Sequence, residues 1–191
     1  MTENPEKTID PIEDVPPIEQ DPGKIQEQAQ KQTVNIDGLI KLLQTGKLLD
    51  RTKVADILGE IGDERGVLPL IGAIHDPSTD VQYLAIKSLG MIADPRAVDP
   101  LITALTSQEK WVRRGAAHSL GQIGDKKAVD FLIPLLSDPH HDVRASAAWA
   151  LGKIGDAQAI EPLQRLLQDP KKDVQTEAET ALELMGVKES S

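Results

Sequence analysis

Cysteine is absent from the 191-residue sequence. This absence excludes a disulfide scaffold, a thiol nucleophile and any zinc or iron–sulfur site held by cysteine. Aromatic residues make up only 2% of the chain, whereas apolar residues reach 39%. A core therefore has to be built from Leu, Ile, Val and Ala, a composition that favours helices over a β-sandwich or β-barrel.

The sequence also lacks a long hydrophobic run and an excess of positive charge. No apolar stretch approaches the roughly 20 residues that would span a bilayer. The amino terminus has neither a basic region nor an apolar stretch, so we expect no secretory signal and a cytoplasmic protein without membrane contact. The net charge of −10 argues against general binding to nucleic-acid phosphates, which requires clustered Lys and Arg.

Residues 1–33 differ in composition from the rest of the chain. They contain eight acidic residues against three lysines, together with five of the thirteen prolines. With so little apolar surface, we expect a disordered acidic tail. Ile9, Ile12, Val15 and Ile18 recur at every third residue, which would align them on one side of a polyproline II helix. This spacing indicates either a docking strip or chance in a solvated tail.

After the tail the sequence repeats with a period of 31 residues. The period is marked by Leu58, Leu89, Leu120, Leu151 and Leu182, without insertion or deletion. A fixed period in this range is typical of a solenoid. Each repeat predicts two amphipathic helices, the first with apolar residues at i, i+3, i+4 and i+7. A degenerate copy of this pattern begins at Ile36, so we predict an all-α solenoid of about five helix pairs over residues 34–186, followed by a tail at 187–191.

Two residue types mark the first helix of each pair. An aspartate precedes it at Asp63, Asp94, Asp125 and Asp156, where the carboxylate can cap free amides. A proline lies inside it at Pro69, Pro100 and Pro162, and we expect this proline to kink the helix. The third of these four repeats departs from the pattern, with Phe131 at that position and Pro134 three residues later.

The consensus LGxIGDxxAVxPLIxxLxDxxxxVRxxAA resembles the HEAT-like repeat of the phycobilin-lyase type, over residues from about 35 to 186. The resemblance implies antiparallel helix pairs in a right-handed superhelix, with each second helix on the concave surface. It also implies a ladder of Asp and Arg, six residues apart, between neighbouring repeats. Asp138 and Arg144 match that spacing, whereas Asp76 is followed by Gln82 and Asp169 by Gln175, so we expect a partial ladder.

The last repeat is polar where earlier repeats are apolar or small. Gln164, Glu179 and Glu183 replace Ile or Ala or Gly of the preceding repeats, at positions that would face a further repeat. Unpaired charges buried there would cost several kcal/mol, roughly. We therefore expect the array to end near Met185 and to be a complete five-pair solenoid, because a terminal repeat needs a polar outer face.

Catalytic and metal-binding patterns are weak. His75, His140 and His141 fall in predicted turns on separate repeats, whereas a metal site needs about three or four convergent ligands. The His-Glu dipeptides of the related deoxyhypusine hydroxylases do not occur, and each glycine of the LGxIG segment is explained by close helix packing rather than phosphate binding. We expect no enzyme activity, no cofactor and no metal ion.

A binding surface is the stronger prediction. At 100° per residue, one arc of the second helices is aliphatic and buried, and the opposite arc carries aromatic and basic residues. Trp, Tyr and Arg dominate binding hot spots. The predicted binding residues on the concave face are Tyr83, Lys87, Trp111, Arg114, His118, Trp149 and Lys153. The alternative is that the two tryptophans merely pack over neighbouring helices.

Three function classes follow. The first is a non-catalytic scaffold that binds a peptide or helix of a partner protein on this face. The second, implied by the resemblance, is a lyase subunit or pigment-protein chaperone, in which Lys87, Arg114 and Lys153 would pair with the propionates of a linear tetrapyrrole. The third, a nucleic-acid-binding protein, is opposed by the acidic residues of the face and tail. We also consider that the acidic tail itself could occupy the face and be displaced by a partner.

Overall fold

The computed structural model of the protein describes residues 35–187. The predictions for the tail at 1–33, and for the C-terminal tail apart from Val187, lie outside the described residues. The described part contains α-helices and short 3₁₀ turns, without strands. The helices are α1 (Ile36–Thr45), α2 (Leu48–Ile61), α3 (Val67–Ala73), α4 (Thr79–Ile92), α5 (Val98–Ala104), α6 (Lys110–Ile123), α7 (Val129–Leu132), α8 (His141–Ile154), α9 (Ile160–Leu166) and α10 (Lys172–Leu184).

These helices form the predicted solenoid of five pairs. Within a pair the first helix packs on the second, and the second helices α2, α4, α6, α8 and α10 pack on one another in succession. The leucines of the 31-residue period all lie in the core of the stack: Leu58, Leu89, Leu120, Leu151 and Leu182. The apolar i, i+3, i+4, i+7 pattern of the sequence is thus satisfied between helices, because no single pair can cover its own apolar face.

The first helices of the second to fifth pairs begin with a 3₁₀ turn. The predicted aspartate caps are confirmed, since Asp63 accepts a hydrogen bond from the amide of Arg65, and the other three aspartates do the same. Pro69 lies at the third position of α3, where an amide has no helical partner to lose. The expected kink is therefore replaced by a change from 3₁₀ to α geometry just before the proline. Among the prolines of residues 35–187, Pro134 alone lies where a helix changes form, since α7 continues as a 3₁₀ turn from Ile133 to Ser137.

Second helices end in a left-handed residue. Gly62, Gly124 and Gly155 have φ between 69° and 76°, and each donates its amide to the carbonyl four residues earlier. The second repeat has Ala93 at this position, with φ of 56°. An L-residue with a Cβ is held in a conformation that favours glycine, because the adjoining repeats fix the same turn.

Small residues bring the second helices together. A Cβ on Gly121 would lie 2.7 Å from the Cα of Ala150, so this glycine is a close-packing position as the sequence predicts. At the contact between α4 and α6, Ser119 donates its buried hydroxyl to the carbonyl of Ile86 at 2.8 Å. At the contact between α2 and α4, Ser88 donates to the carbonyl of Ala55 in the same way. These hydroxyl groups join neighbouring repeats at positions where the helices are too close for larger side chains.

Arginine–aspartate pairs form a second link between repeats. Arg51 binds Asp76 through two hydrogen bonds of 2.7 and 3.0 Å. The Arg113–Asp138 and Arg144–Asp169 pairs repeat this geometry, always 25 residues apart. The expectation that Asp76 and Asp169 lack an arginine was wrong, because the partner comes from the preceding repeat rather than from six residues later.

The glutamines have a smaller role in the same turns. Gln82 donates its side-chain amide to the backbone carbonyl of Asp76, and Gln175 does the same to Asp169. Arg144 makes this bond too, to the carbonyl of Asp138, and then reaches onward to the next repeat. The ladder is interrupted between the second and third repeats, where the positions of Arg and Asp hold Gln82 and Ser107.

The two ends of the described stack differ in polarity. At the first pair Ile57 holds the position of Ser88 and is exposed, and Leu49 is 63% exposed. At the last pair Gln164 and Glu183 are exposed, and Glu179 pairs with Lys172 at 3.5 Å. These polar side chains of the last repeat face solvent in the described stack, and the end of the array near Met185 stays a prediction.

Candidate functional site

The predicted binding residues come from three consecutive second helices. Tyr83 and Lys87 lie on α4, Trp111, Arg114 and His118 on α6, and Trp149 and Lys153 on α8. The helical arithmetic is confirmed for α4, since the opposite arc is buried, whereas Tyr83 is half-buried and Lys87 exposed. Its buried residues include Val81, Ala85, Ser88 and Leu89.

These side chains line three neighbouring pockets. The central pocket, of about 370 Å³, is lined by Tyr83, Lys87, Met91, Arg114, Gly115, His118, Ser119, Gln122 and Ser146. A pocket of about 300 Å³ shares Tyr83 and Arg114 with it and adds Thr79, Asp80 and Trp111. A third, of about 550 Å³, shares Met91 and Gln122 and adds Trp149 and Lys153, among others. Because neighbouring pockets share walls, they form one surface, which we call the groove.

An aromatic stack separates the central pocket from the third. The rings of His118 and Trp149 are parallel within 14°, with centroids 4.1 Å apart. Partial burial of the imidazole, and the positive charge of Arg114, lower the pKa of His118 below its usual 6.5. At neutral pH the ring is therefore uncharged, and the stack presents a flat apolar surface to a ligand.

Cations surround the second tryptophan. Trp111 is 45% exposed. The ammonium of Lys110 lies 4.4 Å from its ring centroid, and the guanidinium of Arg114 lies 5.8 Å away on the same helix. Lys153 has a similar place at Trp149, with its ammonium 5.8 Å from the ring. Each tryptophan thus offers a ring beside a positive charge, an arrangement suited to a ligand that is both apolar and anionic.

The basic residues of the groove differ in whether they form an ion pair. Lys87 binds Asp56 of the preceding repeat at 2.9 Å, and the hydrogen bond that it donates to this carboxylate raises the pKa of Lys87. Lys110 lies 3.7 Å from Asp142. Among residues 35–187, Arg114 and Lys153 make no ion pair. The ammonium of Lys87 is thus engaged by Asp56, and its role in binding an anionic ligand stays a prediction.

Gly115 and Asp80 are among the residues of the groove that sequence reasoning missed. Gly115 forms the floor of the central pocket, where a Cβ would lie 3.3 Å from the Tyr83 ring. The 31-residue period could have indicated this position, because Gly115 is the equivalent of Leu84 in the preceding repeat. Asp80 lines the same pocket as Arg114. It lies three residues before Tyr83 on the same helical face, a spacing that would have placed it in the groove.

The remaining histidines lie outside the groove. His141 hydrogen-bonds Asp173 at 2.7 Å, and this contact lowers the pKa of the aspartate. His140 donates its backbone amide to Asp138. Within residues 35–187 no group of three or more His, Asp or Glu is placed to hold a metal ion. None of the helices in this range is both long and apolar enough to cross a membrane.

Comparisons with solved structures return helical repeat proteins. The complex of CpcE and CpcF of phycocyanin lyase from Nostoc sp. PCC7120 contains a chain with 28% identity and a TM-score of 0.75, covering 81% of this chain. This chain spans 66% of that protein's length. An engineered protein matches with 27% identity and a TM-score of 0.65, over 79% of both chains.

A designed armadillo repeat protein, in complex with the peptide (KR)4, has 20% identity and a TM-score of 0.64, over 85% of this chain and 86% of its own. At that identity the likeness concerns the fold alone. No curated protein sequence matches this chain. The sequence profile of HEAT repeats matches residues 36–117 and 98–183, which together cover the described solenoid. The chain therefore belongs to the HEAT-repeat family.

Proposed function

We propose that this protein is a non-catalytic interaction scaffold that binds a peptide or helix of a partner protein in the groove. The observation that carries the proposal is the continuity of three pockets across α4, α6 and α8, lined by Tyr83, Trp111 and Trp149. Aromatic side chains in a concave, water-excluding surface supply most of the binding energy of protein interfaces.

The aromatic residues of the groove differ in how far they pack on the core, and Trp111 is not needed by it. Leu89, Leu120 and Leu151 are fully buried beneath them, and Trp111 touches solvent over almost half its surface. Trp149 packs partly on the core, in agreement with the alternative that it covers neighbouring helices. Its outer edge nevertheless lines a pocket beside Lys153, which supports a role in binding as well.

Relatives of the fold bind other molecules. The armadillo repeat protein holds a peptide, and the CpcE and CpcF chains form a complex with each other. The second candidate function, a phycobilin lyase-like or pigment-chaperone subunit, is favoured by the likeness to that lyase complex. In that case Arg114 and Lys153 would pair with the propionates of a linear tetrapyrrole.

Quantitative pull-down from an extract of the source organism tests the proposal. Full-length protein is compared with Trp149→Ala, Trp111→Ala and the matched control Phe131→Ala, which removes an aromatic residue that is 48% exposed and lies outside the groove. We expect partners to be lost with both tryptophan variants and retained with the control. Equal capture by all four proteins would contradict binding in the groove.

Biliverdin titration separates the two candidate functions. A linear tetrapyrrole held by Trp149 and Lys153 would change its absorption spectrum on binding, and Trp149→Ala would reverse the change. We expect no saturable spectral change with the full-length protein. Saturable binding that depends on Trp149 would replace the scaffold by the pigment-handling function.

A further inference from the structure

We infer that the partner segment is an extended acidic peptide, with two carboxylates about four residues apart that bind Arg114 and Lys153. This inference rests on the proposed function and specifies its ligand. The observation behind it is the difference between the two kinds of cation in the described solenoid. The ladder arginines, Arg51, Arg113 and Arg144, each bind an aspartate, whereas Arg114 and Lys153 have no acidic partner within residues 35–187.

The contrast is sharpest between adjacent residues. Arg113 is largely buried and donates two hydrogen bonds to Asp138, so it belongs to the stack. Arg114 points instead to the groove, where its guanidinium lies beside the Trp111 ring and lines two pockets. A half-buried guanidinium without a carboxylate is a ready site for one supplied by a ligand.

The separation of the two cations sets the spacing of the peptide carboxylates. Arg114 and Lys153 lie on adjacent second helices, whose axes are about 9 Å apart. Lys153 lies eight residues beyond Ala145, the equivalent of Arg114, which adds about 12 Å along the helix. The resulting separation of about 15 Å is spanned by four to five residues of extended chain.

The shape of the groove favours an extended peptide over a helix. It consists of three pockets of about 300, 370 and 550 Å³ that share walls, each with room for a side chain. The uncharged His118–Trp149 stack lies between the two cations, so the residues between the carboxylates are expected to be apolar. An extended peptide places alternate side chains into such pockets.

Asp80 would repel the carboxylates of such a peptide, because it lines the same pocket as Arg114. It makes no ion pair with Arg114 within the described residues, so it reduces the local positive potential without occupying the guanidinium. The net charge of the chain acts over longer distances and is screened within about 8 Å at physiological salt. The nearby charges therefore decide which peptide binds.

A displayed peptide library tests the inference directly. Nonapeptides carry Glu, Gln or Lys at equal frequency at two positions four residues apart, with random residues elsewhere, and are selected on immobilised full-length protein at 0.15 M salt. We expect Glu to be enriched about tenfold over Gln at both positions, since a charge-assisted hydrogen bond is worth about that factor. Lys is expected to be depleted.

Four single variants assign the charges. Arg114→Gln and Lys153→Gln should each remove the Glu preference at one position, while Arg165→Gln, the control outside the groove, should leave both preferences because its guanidinium pairs with Glu161. Asp80→Asn should strengthen the preference. Capture of peptides without a Glu preference, or a preference unchanged in both Arg114→Gln and Lys153→Gln, would overturn the inference alone. Failure to capture any peptide would overturn the proposed function as well.

Discussion

Gly121 shows how a single residue sets both the packing and the site. A Cβ at this position would lie 2.7 Å from the Cα of Ala150 and 2.7 Å from the Trp149 ring. The backbone of α8 cannot retreat without moving the next repeat, and the ring cannot move without disturbing its stack on His118. The absence of a side chain thus allows the helices to approach and the tryptophan to lie flat in the groove.

We expect Gly121→Leu to lower the free energy of unfolding by about 1–3 kcal/mol, because the added side chain overpacks the contact between α6 and α8. Thermal and urea unfolding measure the change. The matched control is Gly72→Ala, at an exposed helical position with open space around the new Cβ. It should raise stability by up to about 1 kcal/mol, since Ala favours helix over Gly. An unchanged Gly121→Leu protein would show that this glycine is not a packing position.

His118 carries a pH-dependent property of the groove. Burial and the charge of Arg114 lower its pKa below 6.5, whereas the unfolded chain has the ordinary value. The unfolded state therefore takes up the proton first as pH falls. We expect this histidine to reduce stability progressively below about pH 6.5, and to contribute no such loss above it.

The measurement is an NMR titration of the four histidine rings, with His118→Gln assigning the signal. The His118 pKa should be lower than 6.5 and should rise in Arg114→Gln, because one of its two causes is removed. A His118 pKa at or above the ordinary value would contradict the partial burial of the ring in the stack.

Among the structural elements, the turn between the two helices of a repeat has the most regular pattern of contacts. A carboxylate such as Asp138 caps its own turn by accepting from the amide of His140, and binds Arg113 of the preceding repeat at 2.8 Å. Burial alone would raise the pKa of Asp138, but these contacts outweigh it and lower the pKa. The stabilisation is present above the ordinary aspartate pKa and is lost as pH falls through the lowered value.

The missing arginine–aspartate pair at Gln82 and Ser107 can be restored by substitution, and this gives a testable prediction. Gln82→Arg together with Ser107→Asp would place an arginine and an aspartate 25 residues apart, as in the other pairs. Ser107→Asp alone should lower stability, because it leaves a partly buried carboxylate unpaired, and Gln82→Arg should recover about 1–3 kcal/mol in the double variant. A double-mutant cycle in urea measures this coupling. Additive effects of the two substitutions would refute the register that we describe.

Removing an existing arginine–aspartate pair provides the reverse experiment. Arg113→Gln keeps a side chain that can bond its own turn, as Gln82 does, but leaves Asp138 without its partner. We expect a loss of about 2–4 kcal/mol, because both members of the pair are largely buried. Arg165→Gln is the control, since its pair with Glu161 is exposed and should contribute less than about 0.5 kcal/mol. Equal losses in the two variants would count against the ladder as a structural link.

At the scale of the molecule, stability is a sum over neighbouring pairs. Each helix pair contacts the pairs beside it, and the leucines of the period form one continuous core from Leu58 to Leu182. The composition of residues 1–33 predicts that this segment contributes little to the core. The described solenoid therefore contains the elements that should unfold cooperatively.

Deleting residues 1–33 should leave the helical content of the solenoid and its melting temperature nearly unchanged. Circular dichroism and calorimetry of the full-length and truncated proteins measure both quantities. Leu49→Glu serves as a comparison at the exposed first pair, where 63% of the side chain already touches water and little stability should be lost. A large loss of helicity on truncation would mean that the tail is a structural part of the domain.

The all-α repeat, its period and the face that carries the aromatic residues could all be predicted from the amino-acid sequence alone. These features follow from spacing along one chain, because residues such as Tyr83 and Arg114 are related by a shift of 31 and a fixed helical angle. The aspartate caps, such as Asp63, could also be predicted, because each bonds an amide only two residues away. So could the polar last repeat, in which Glu183 replaces a packing glycine.

Which charged side chains are left without an ion-pair partner depends on how the repeats pack, and could not be predicted from the sequence. Arg113 and Arg114 are adjacent and chemically identical, yet one binds Asp138 and the other lines the groove. Lys87, a predicted binding residue, likewise contacts Asp56 of the preceding repeat, which no local pattern indicated. The physical reason is that an ion pair between repeats depends on the relative position of two helices to within about 1 Å. That position is set by packing of the whole stack, at residues such as Gly121, rather than by any local pattern.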